Sequence, residues 1–223
     1  TLPPPLSNYV HADCHDLAYN PLDGALYNAN DGGVWKSTSG GFSWFDLNDG
    51  LGITQFYHGV GTDALPNMVL GGTQDNGTKL RTSAGGSTFT HIIGADGFDA
   101  ILNYNDPTIG FADANRKIYR LTGLGTTNTT DSVFDSPSFF PVLAMNPTVP
   151  TTIYAGAYYS CTNCPSINRS TNNGTTWTNI QGVASNWAIA TCPSLSSRLY
   201  AAGFVRTGID ASGNHVVGND VPH

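Results

Sequence analysis

The octet Ser37-Thr-Ser-Gly-Gly-Phe-Ser-Trp44 recurs as Ser170-Thr-Asn-Asn-Gly-Thr-Thr-Trp177, and a weaker copy, Thr82-Ser-Ala-Gly-Gly-Ser-Thr-Phe89, ends in phenylalanine. A basic residue precedes each octet. Short polar side chains that cap the backbone, a glycine suited to positive φ and a terminal aromatic ring are typical of a hairpin turn. The octets therefore predict repeated β-hairpins whose structural positions are Ser37, Gly41, Trp44, Thr82, Gly86, Phe89, Ser170, Gly174 and Trp177.

A longer repeat surrounds the octets. Apolar runs that end in a turn proline recur at Pro21, Pro66, Pro107, Pro147 and Pro193, which are 40–46 residues apart. A second apolar run, which we expect to be the second strand, follows each proline, as Thr108-Ile-Gly-Phe111 follows Pro107. Arg120 marks the position before a turn that has lost the octet pattern. Four strands in a period of this length indicate a β-propeller blade.

The repeat divides the chain into blades, of which about four and a half are visible. We expect residues 1–10 to be a linker or the end of a preceding blade. The predicted blades span 11–52, 53–94, 95–136, 137–182 and, incompletely, 183–223. A ring of this type more often has six to eight blades, so we expect the chain to be a portion of a longer protein, although five blades also close a ring.

The composition favours strands over helices. All sixteen acidic residues are aspartates, glutamate is absent, and only three lysines occur. Glu and Lys favour helices, whereas Asn, Asp and Gly favour turns and Thr favours strands. The net charge of −7 argues against nucleic-acid binding, which needs a basic surface. No apolar run reaches the roughly 20 residues of a membrane helix. We therefore predict an all-β protein without membrane insertion.

The four cysteines leave several alternatives open. Cys161 and Cys164 form a Cys-x-x-Cys pair in an Asn/Ser-rich stretch followed by proline. A local disulfide is the leading interpretation, and free thiols or a metal site are the alternatives. Cys14 and Cys192 are candidates for a second pair that the sequence does not decide.

Polar motifs collect at one predicted face. If the first strand of each blade runs from the top face to the bottom, the second-to-third loops and the links between blades lie on top, and the octets lie below. The motifs on top are His11-Ala-Asp13-Cys-His15, Asn30-Asp31-Gly-Gly33, Gln74-Asp75-Asn76-Gly77 and Gly94-Ala-Asp96-Gly97-Phe-Asp99. The residues eight positions before Pro21, Pro66 and Pro107 are Asp13, His58 and Asp99.

These polar residues have two interpretations. Asn, Asp and Gly are the residues of tight turns. The spacing of His11, Asp13 and His15 favours a ligand-binding site instead, because alternate residues share one side of a strand. Oxygen ligands suit calcium, and histidines suit a transition metal or a glycan. The candidate ligand-binding or metal residues are His11, Asp13, His15, Asp31, Asp75, Asn76, Asp96 and Asp99.

The octets and these motifs together resemble the Asp-box (BNR), sortilin-like β-propellers of large secreted bacterial surface proteins. The matching stretches are Val10–His15, Asn30–Gly33, the octet ending at Trp44, Leu51–Tyr57, Gly71–Gly77 and Asp96–Phe98, over about residues 10–182. Ser39, Ala84 and Asn172 occupy the position of the eponymous aspartate, so no copy is perfect. The resemblance implies a secreted or cell-surface address and often a C-terminal sorting domain, which is not visible here.

Enzyme and binding functions are both represented among Asp-box propellers. Sialidases need a tyrosine activated by glutamate, and this chain has no glutamate. Xyloglucanase-type glycosidases use two carboxylates across a cleft, and Asp13 and Asp96 are the candidates for that role. The leading hypothesis is a non-catalytic extracellular module that binds a glycan, a surface protein or another copy of itself, with calcium as the candidate cation. Tyr158, Tyr159 and Trp187 are candidate sugar-stacking residues.

Overall fold

The computed structural model describes residues 7–52, 54–62, 64–82, 88–136, 138–157, 167–181, 185–204, 206–209 and 215–217. These residues form strands, turns and loops, and no helix occurs among them. Within this part of the chain, no segment therefore meets the length and hydropathy of a membrane-spanning helix. The chain divides into two compact units, Thr1–Gln55 and Phe56–His223.

The first unit contains one antiparallel sheet whose strands follow one another in sequence order. Its strands are β1 (Cys14–Asn20), β2 (Ala25–Asn30), β3 (Gly33–Ser37) and β4 (Phe45–Asp46). Trp44, at the end of the first octet, is buried, and its backbone N–H donates to the Ser7 carbonyl at 3.0 Å. This backbone hydrogen bond thus holds the start of β4 against the residues that precede β1.

The second unit contains three further four-stranded antiparallel sheets. The first has β5 (Phe56–Thr62), β6 (Leu65–Thr73), β7 (Gly77–Arg81) and β8 (Thr90–Ile93). The second has β9 (Gly97–Leu102), β10 (Gly110–Ala114), β11 (Lys117–Thr122) and β12 (Thr129–Asp135). The third has β13 (Pro141–Met145), β14 (Ile153–Ala157), β15 (Ile167–Ser170) and β16 (Thr178–Gln181). Two strand pairs follow, β17 (Ser185–Thr191) with β18 (Leu199–Phe204), and β19 (Arg206–Ile209) with β20 (His215–Val217).

Consecutive sheets of the second unit pack through their first strands. Strand β5 contacts β9, β9 contacts β13, and β13 contacts β17. One apolar core, which includes Leu70, Leu80 and Leu121, lies between the first and second sheets, and another, which includes Phe111 and Ile153, lies between the second and third. Four-stranded sheets that stack in this way are the blades of a β-propeller, so the predicted fold class is confirmed.

The two strong octets form the same turn. Ser37 Oγ and Ser170 Oγ each accept from the glycine N–H four residues later, at 2.9 Å. Each tryptophan Nε1–H then donates to the carbonyl of that glycine, at 3.1 Å for Trp44 and 3.0 Å for Trp177. Both turns connect the third and fourth strands of a sheet, where the sequence predicts them.

The residues at the aspartate position take over its capping role. Ser39 Oγ accepts from the Ser43 N–H at 2.9 Å, and Asn172 Oδ1 accepts from the Thr176 N–H at 2.9 Å. A short acceptor two residues into the turn is therefore sufficient, and a carboxylate is not required. The ring of Trp177 lies 4.9 Å from that of Phe134 on β12, so this aromatic residue packs between neighbouring sheets.

Two local expectations need correction. Pro66 is the second residue of β6 rather than part of the turn before it. A proline is tolerated near the start of a strand, where its missing N–H costs little. The predicted strand containing Thr108-Ile-Gly-Phe111 begins only at Gly110, because Thr108 is bound in a turn to the Asp106 carboxylate.

Candidate functional site

The histidine-rich segment at the start of the chain does not have the expected alternation. Strand β1 begins at Cys14, and Asp13 has a positive φ of 57°. A left-handed residue interrupts the period of two, so the prediction that His11, Asp13 and His15 share one side of a strand is wrong. His11 Nδ1 instead lies 3.2 Å from the Ala12 carbonyl.

The first unit nevertheless brings two of the predicted motifs together. His15 Nε2 pairs with Oδ1 of Asp31, which lies in the β2–β3 turn. Asp13 and Asp31 also present carboxylate oxygens within 4.8 Å of one another. Asn30 caps the backbone of the same turn, since its Oδ1 accepts from the Gly32 N–H at 2.9 Å.

In the second unit, a hydrogen bond joins a second-to-third turn to a link between sheets. The Asp75 N–H, in the β6–β7 turn, donates to Asp96 Oδ1, in the β8–β9 link, at 2.9 Å. Asn76 closes its own turn, with its N–H donating to the Gln74 carbonyl at 2.7 Å. Both connections therefore lie at the same end of these sheets, and two aspartates meet there.

Aromatic rings gather beside these aspartates. Tyr57 on β5 lies 4.9 Å, between ring centroids, from Phe98 on β9, and Phe98 lies 5.1 Å from Phe139 and 4.3 Å from Phe140. Phe98 is only 4% exposed, whereas Tyr57 is 44% and Phe139 is 40% exposed. A buried ring thus supports two exposed ones. We call Tyr57, Phe98, Phe139, Phe140, Asp75 and Asp96 the aromatic–acidic cluster.

The surroundings of Tyr57 shift the pKa of its phenol. Partial burial raises its pKa, and the negative charges of Asp96 and Asp75 raise it further. The same two carboxylates therefore act on one phenol, which stays protonated and retains its hydrogen-bond donor at neutral pH. The cluster offers exposed ring faces, one hydroxyl donor and carboxylate acceptors within one small region.

A second polar chain runs through the neighbouring residues of the same strands. His58 Nδ1, on β5, pairs with Asp99 Oδ1, on β9. Asp99 Oδ2 accepts from the Leu143 N–H, on β13, at 2.7 Å. The Asp99 N–H in turn donates to Asp113 Oδ1, on β10, at 2.5 Å. One carboxylate thus links the first strands of three consecutive blades.

Asp113 is the buried end of this chain. It lies at an irregularity in the pairing of β9 with β10 and is fully buried. Its Oδ2 has no hydrogen-bond partner among the described residues. Burial, which penalises the charged form, raises the pKa of the Asp113 carboxyl well above its ordinary value. The hydrogen bond from the Asp99 N–H opposes this shift only in part.

The Asp99 carboxylate affects the imidazole at the other end. Its hydrogen bond to His58 raises the pKa of that side chain, and partial desolvation opposes the increase. In the His58–Asp99–Asp113 chain, the pKa of His58 and the pKa of the Asp113 carboxyl are therefore both raised.

Several predicted residues lie outside the described part of the chain. These are Gly86, Tyr158, Tyr159, Cys161 and Cys164, and the side chain of Trp187 is also not described. The local disulfide and the three stacking aromatics therefore stay predictions.

Cys14 and Cys192 are free thiols rather than a disulfide pair. Cys14 Sγ lies 2.8 Å from the Asn28 amide nitrogen, and Cys192 Sγ lies 3.3 Å from Ser194 Oγ. The second pairing that the sequence left open is thus absent.

Sequence reasoning missed the aromatic half of the cluster and the role of Asp113. Tyr57 and Phe98 directly precede His58 and Asp99, the residues found eight positions before two of the prolines. That register was the available signal for Tyr57 and Phe98, because neighbouring first strands bring equivalent positions side by side. Phe139 and Phe140 had no comparable signal.

Comparison with known proteins supports the fold. No protein-family model and no curated protein matches the chain. Among solved structures, an ancestral GH74 enzyme matches with a TM-score of 0.54 and 20% identity, over 92% of this chain and 29% of its own. A GH74 enzyme from Niastella koreensis matches with a TM-score of 0.55 and 17% identity, over 98% and 39%. The GH74 xyloglucanase from Xanthomonas campestris matches with a TM-score of 0.54 and 13% identity, over 98% and 39%.

This chain therefore spans 29–39% of the length of these enzymes. At identities of 20% or less, the likeness shows a common β-propeller fold.

Proposed function

We propose that the second unit binds an oligosaccharide at the aromatic–acidic cluster, as a non-catalytic module of an extracellular protein. The observation that carries the proposal is the pair of exposed rings, Tyr57 and Phe139, held on the buried Phe98 beside Asp75 and Asp96. Ligand sites typically combine apolar and aromatic surface with a few polar groups that orient the ligand.

The chemistry of a sugar matches this arrangement. The C–H groups of a pyranose ring form an apolar face that packs against an aromatic ring, and its hydroxyl groups donate to carboxylates. Tyr57 and Phe139 supply the ring faces, and Asp75 and Asp96 supply acceptors close to Tyr57. Because Phe98 is packed beneath both exposed rings, their positions are largely set before a ligand arrives, which lowers the entropy lost on binding.

The fold neighbours guide the choice of ligand. One is a xyloglucanase by name, so xyloglucan oligosaccharides are the first probes. The extracellular address belongs to the proposal and draws on the resemblance to secreted surface propellers. A surface protein or a second copy of the chain is the alternative partner for the same rings.

Isothermal titration calorimetry with a xyloglucan heptasaccharide tests the proposal. We expect Tyr57→Ala and Phe139→Ala each to weaken binding by about tenfold, the equivalent of roughly 1.4 kcal/mol. Phe42→Ala is the matched control, since Phe42 is a highly exposed aromatic residue at an octet turn, and it should bind like the parent. Tyr57→Phe should keep most of the affinity because the ring remains. Equal affinity for all these variants, or no binding by a folded parent, would contradict the proposal.

Hydrolysis is the second candidate function. The observation in its favour is that Asp75 and Asp96 act on the same phenol, and glycosidases use two carboxylates around one glycosidic bond. Incubation with xyloglucan and measurement of new reducing ends separates the two candidates. Product that Asp96→Asn abolishes would replace the binding module with a hydrolase.

Calcium remains part of the proposal for the first unit. Asp13 and Asp31 offer carboxylate oxygens close together, the ligand type that calcium prefers. The bond between Asp31 and His15 competes with such a role. If calcium binds here, millimolar calcium should raise the melting temperature of the parent, and Asp13→Asn should reduce that increase. An unchanged melting temperature in the parent would remove calcium from the proposal.

A further inference from the structure

The three lysines of the chain have different partners. Lys36 Nζ lies 2.8 Å from an Asp23 carboxylate oxygen, and Lys117 Nζ lies 3.2 Å from one of Asp135. Lys79 forms no ion pair with a carboxylate among the described residues. It is the lysine whose charge lacks this compensation.

Lys79 is paired with an imidazole instead. Its Nζ lies 3.0 Å from Nδ1 of His91, and the two residues face each other across β7 and β8. The His91 ring lies over Gly77, where an added Cβ would come within 2.9 Å of Cε1. The absence of a side chain at Gly77 therefore leaves room for the imidazole beside the amine.

The surroundings favour the neutral forms of both groups. Partial burial lowers the pKa of the Lys79 amine. Burial, followed by the nearby charge of Lys79, lowers the pKa of His91. By contrast, the hydrogen bond that Lys36 donates to the Asp23 carboxylate raises the pKa of Lys36.

The other elements packed against β7 do not offset this effect. Strand β6 carries no titratable side chain, and Arg81 at the end of β7 is itself a cation. Strands β9 and β10, which also contact β7, bring Asp99 and Asp113. Asp99 pairs with His58 and accepts from the Leu143 N–H, and Asp113 accepts from the Asp99 N–H. Neither carboxylate forms an ion pair with Lys79 among the described residues.

We propose that Lys79 is a site of covalent modification by small aldehydes, with His91 as the proton acceptor for the reaction. A lysine amine is nucleophilic only when neutral, and a desolvated lysine without a carboxylate partner is the kind that reacts. The ligand class is thus an electrophilic carbonyl compound, and the product is an imine.

The reaction balances without an oxidant or reductant. The Lys79 nitrogen lone pair forms a bond to the aldehyde carbon, and the C=O π electrons move to oxygen. The nitrogen passes a proton to His91 Nδ1, and the oxygen takes up a proton to give a carbinolamine. His91 then returns its proton to the carbinolamine hydroxyl as the nitrogen lone pair expels it as water, which leaves a protonated C=N bond and a neutral His91.

Treatment of the intact chain with a limiting amount of formaldehyde, in the presence of cyanoborohydride, measures this reactivity. Cyanoborohydride reduces the imine to a stable methylamine. Peptide mass spectrometry after chymotrypsin digestion gives the rate at each lysine. At pH 7 we expect Lys79 to be methylated at least about threefold faster than Lys117, since its neutral fraction is larger. The ratio should fall as the pH rises, because the lowered pKa of Lys79 gives it less advantage once its own amine is mostly neutral.

Lys117 is the discriminating control because its side chain is 46% exposed, whereas Lys79 is only partly exposed. If accessibility alone set the rate, Lys117 would react first, and that result would overturn the proposal. His91→Gln should slow methylation at Lys79 and leave Lys36 and Lys117 unchanged. An unchanged rate at Lys79 in a folded His91→Gln variant would overturn the role of His91.

Discussion

Each unit pairs a histidine of its first strand with an aspartate, yet the two aspartates hold different groups. Asp31 sits in a turn and binds His15, which is mostly exposed. Asp99 sits within β9 and binds His58, a backbone N–H of the next blade and, through its own N–H, the buried Asp113. The same two residue types thus join a strand to a turn of one blade in the first place and link neighbouring blades in the second.

The number of groups that the aspartate binds, more than its residue type, therefore determines what such a pair contributes to stability. An exposed ion pair gains little, because water solvates both charges when they separate. A carboxylate that also satisfies a buried backbone N–H leaves that donor without a partner when it is removed.

The largest expected effect is the loss of the Asp99 carboxylate. Asp99→Ala leaves the buried Leu143 N–H and the Ala100 N–H without their acceptors, so we expect a loss of about 3 kcal/mol in the free energy of unfolding. Asp31→Ala, the matched control, should lose less, about 1 kcal/mol, because its partner His15 is mostly exposed. Urea unfolding measures both. Equal losses would show that the connections of Asp99 carry no extra stability.

The pH dependence of stability isolates Asp113. Its pKa is raised in the folded state, so the folded chain holds a proton that the unfolded chain releases above its ordinary pKa of 3.8. Stability should therefore fall as the pH rises from 3.8 towards the folded pKa, by up to about 1.4 kcal/mol per pH unit. Asp113→Asn should remove this slope in urea unfolding at pH 4, 5 and 6. Parallel curves for parent and variant would mean that Asp113 is ionised in the folded state.

The pKa values of His58 and His91 should differ in an NMR titration. The bond to Asp99 raises the pKa of His58 above 6.5, and burial lowers that of His91 below it. The contribution of the His58–Asp99 pair is therefore complete below pH 6.5 and is lost as the pH rises through the folded pKa of His58. The Cε1–H resonances, assigned with His58→Gln and His91→Gln, give both values. The reverse order would refute the bond between His58 and Asp99.

The smallest expected effect is that of salt. One molar sodium chloride reduces the Debye length to about 3 Å and screens exposed pairs most. The cost of His15→Gln should therefore shrink by a few tenths of a kcal/mol, whereas the cost of His58→Gln should change less. We would abandon the contrast between the two pairs if both costs fell alike.

The parts of the fold that were predictable from sequence depend on local chemistry. The octet turns close within eight residues through Ser37, Gly41 and Trp44 or their counterparts, so their hairpins and the four-strand repeat could be recognised directly. The expected alternation of His11, Asp13 and His15 failed because one left-handed residue, Asp13, cannot be inferred from residue type alone.

The candidate site depends on packing between blades. The equivalent positions of His58 and Asp99 were visible in the repeat, but their pairing required β5 and β9 to lie side by side. Phe139 reaches Phe98 from a link whose path no periodicity describes. Asp113 resembled any strand aspartate until its complete burial was known. Side chains joined by tertiary packing are therefore the part that a single sequence did not indicate.

Hydrogen–deuterium exchange with and without a xyloglucan heptasaccharide locates the ligand on the chain and so tests whether the aromatic–acidic cluster binds it. We expect slower exchange at residues 56–59, 96–99 and 138–141, around the aromatic–acidic cluster, and unchanged exchange at the octet turn of residues 37–44. Binding with protection only elsewhere, or unchanged exchange throughout at saturating ligand, would contradict it.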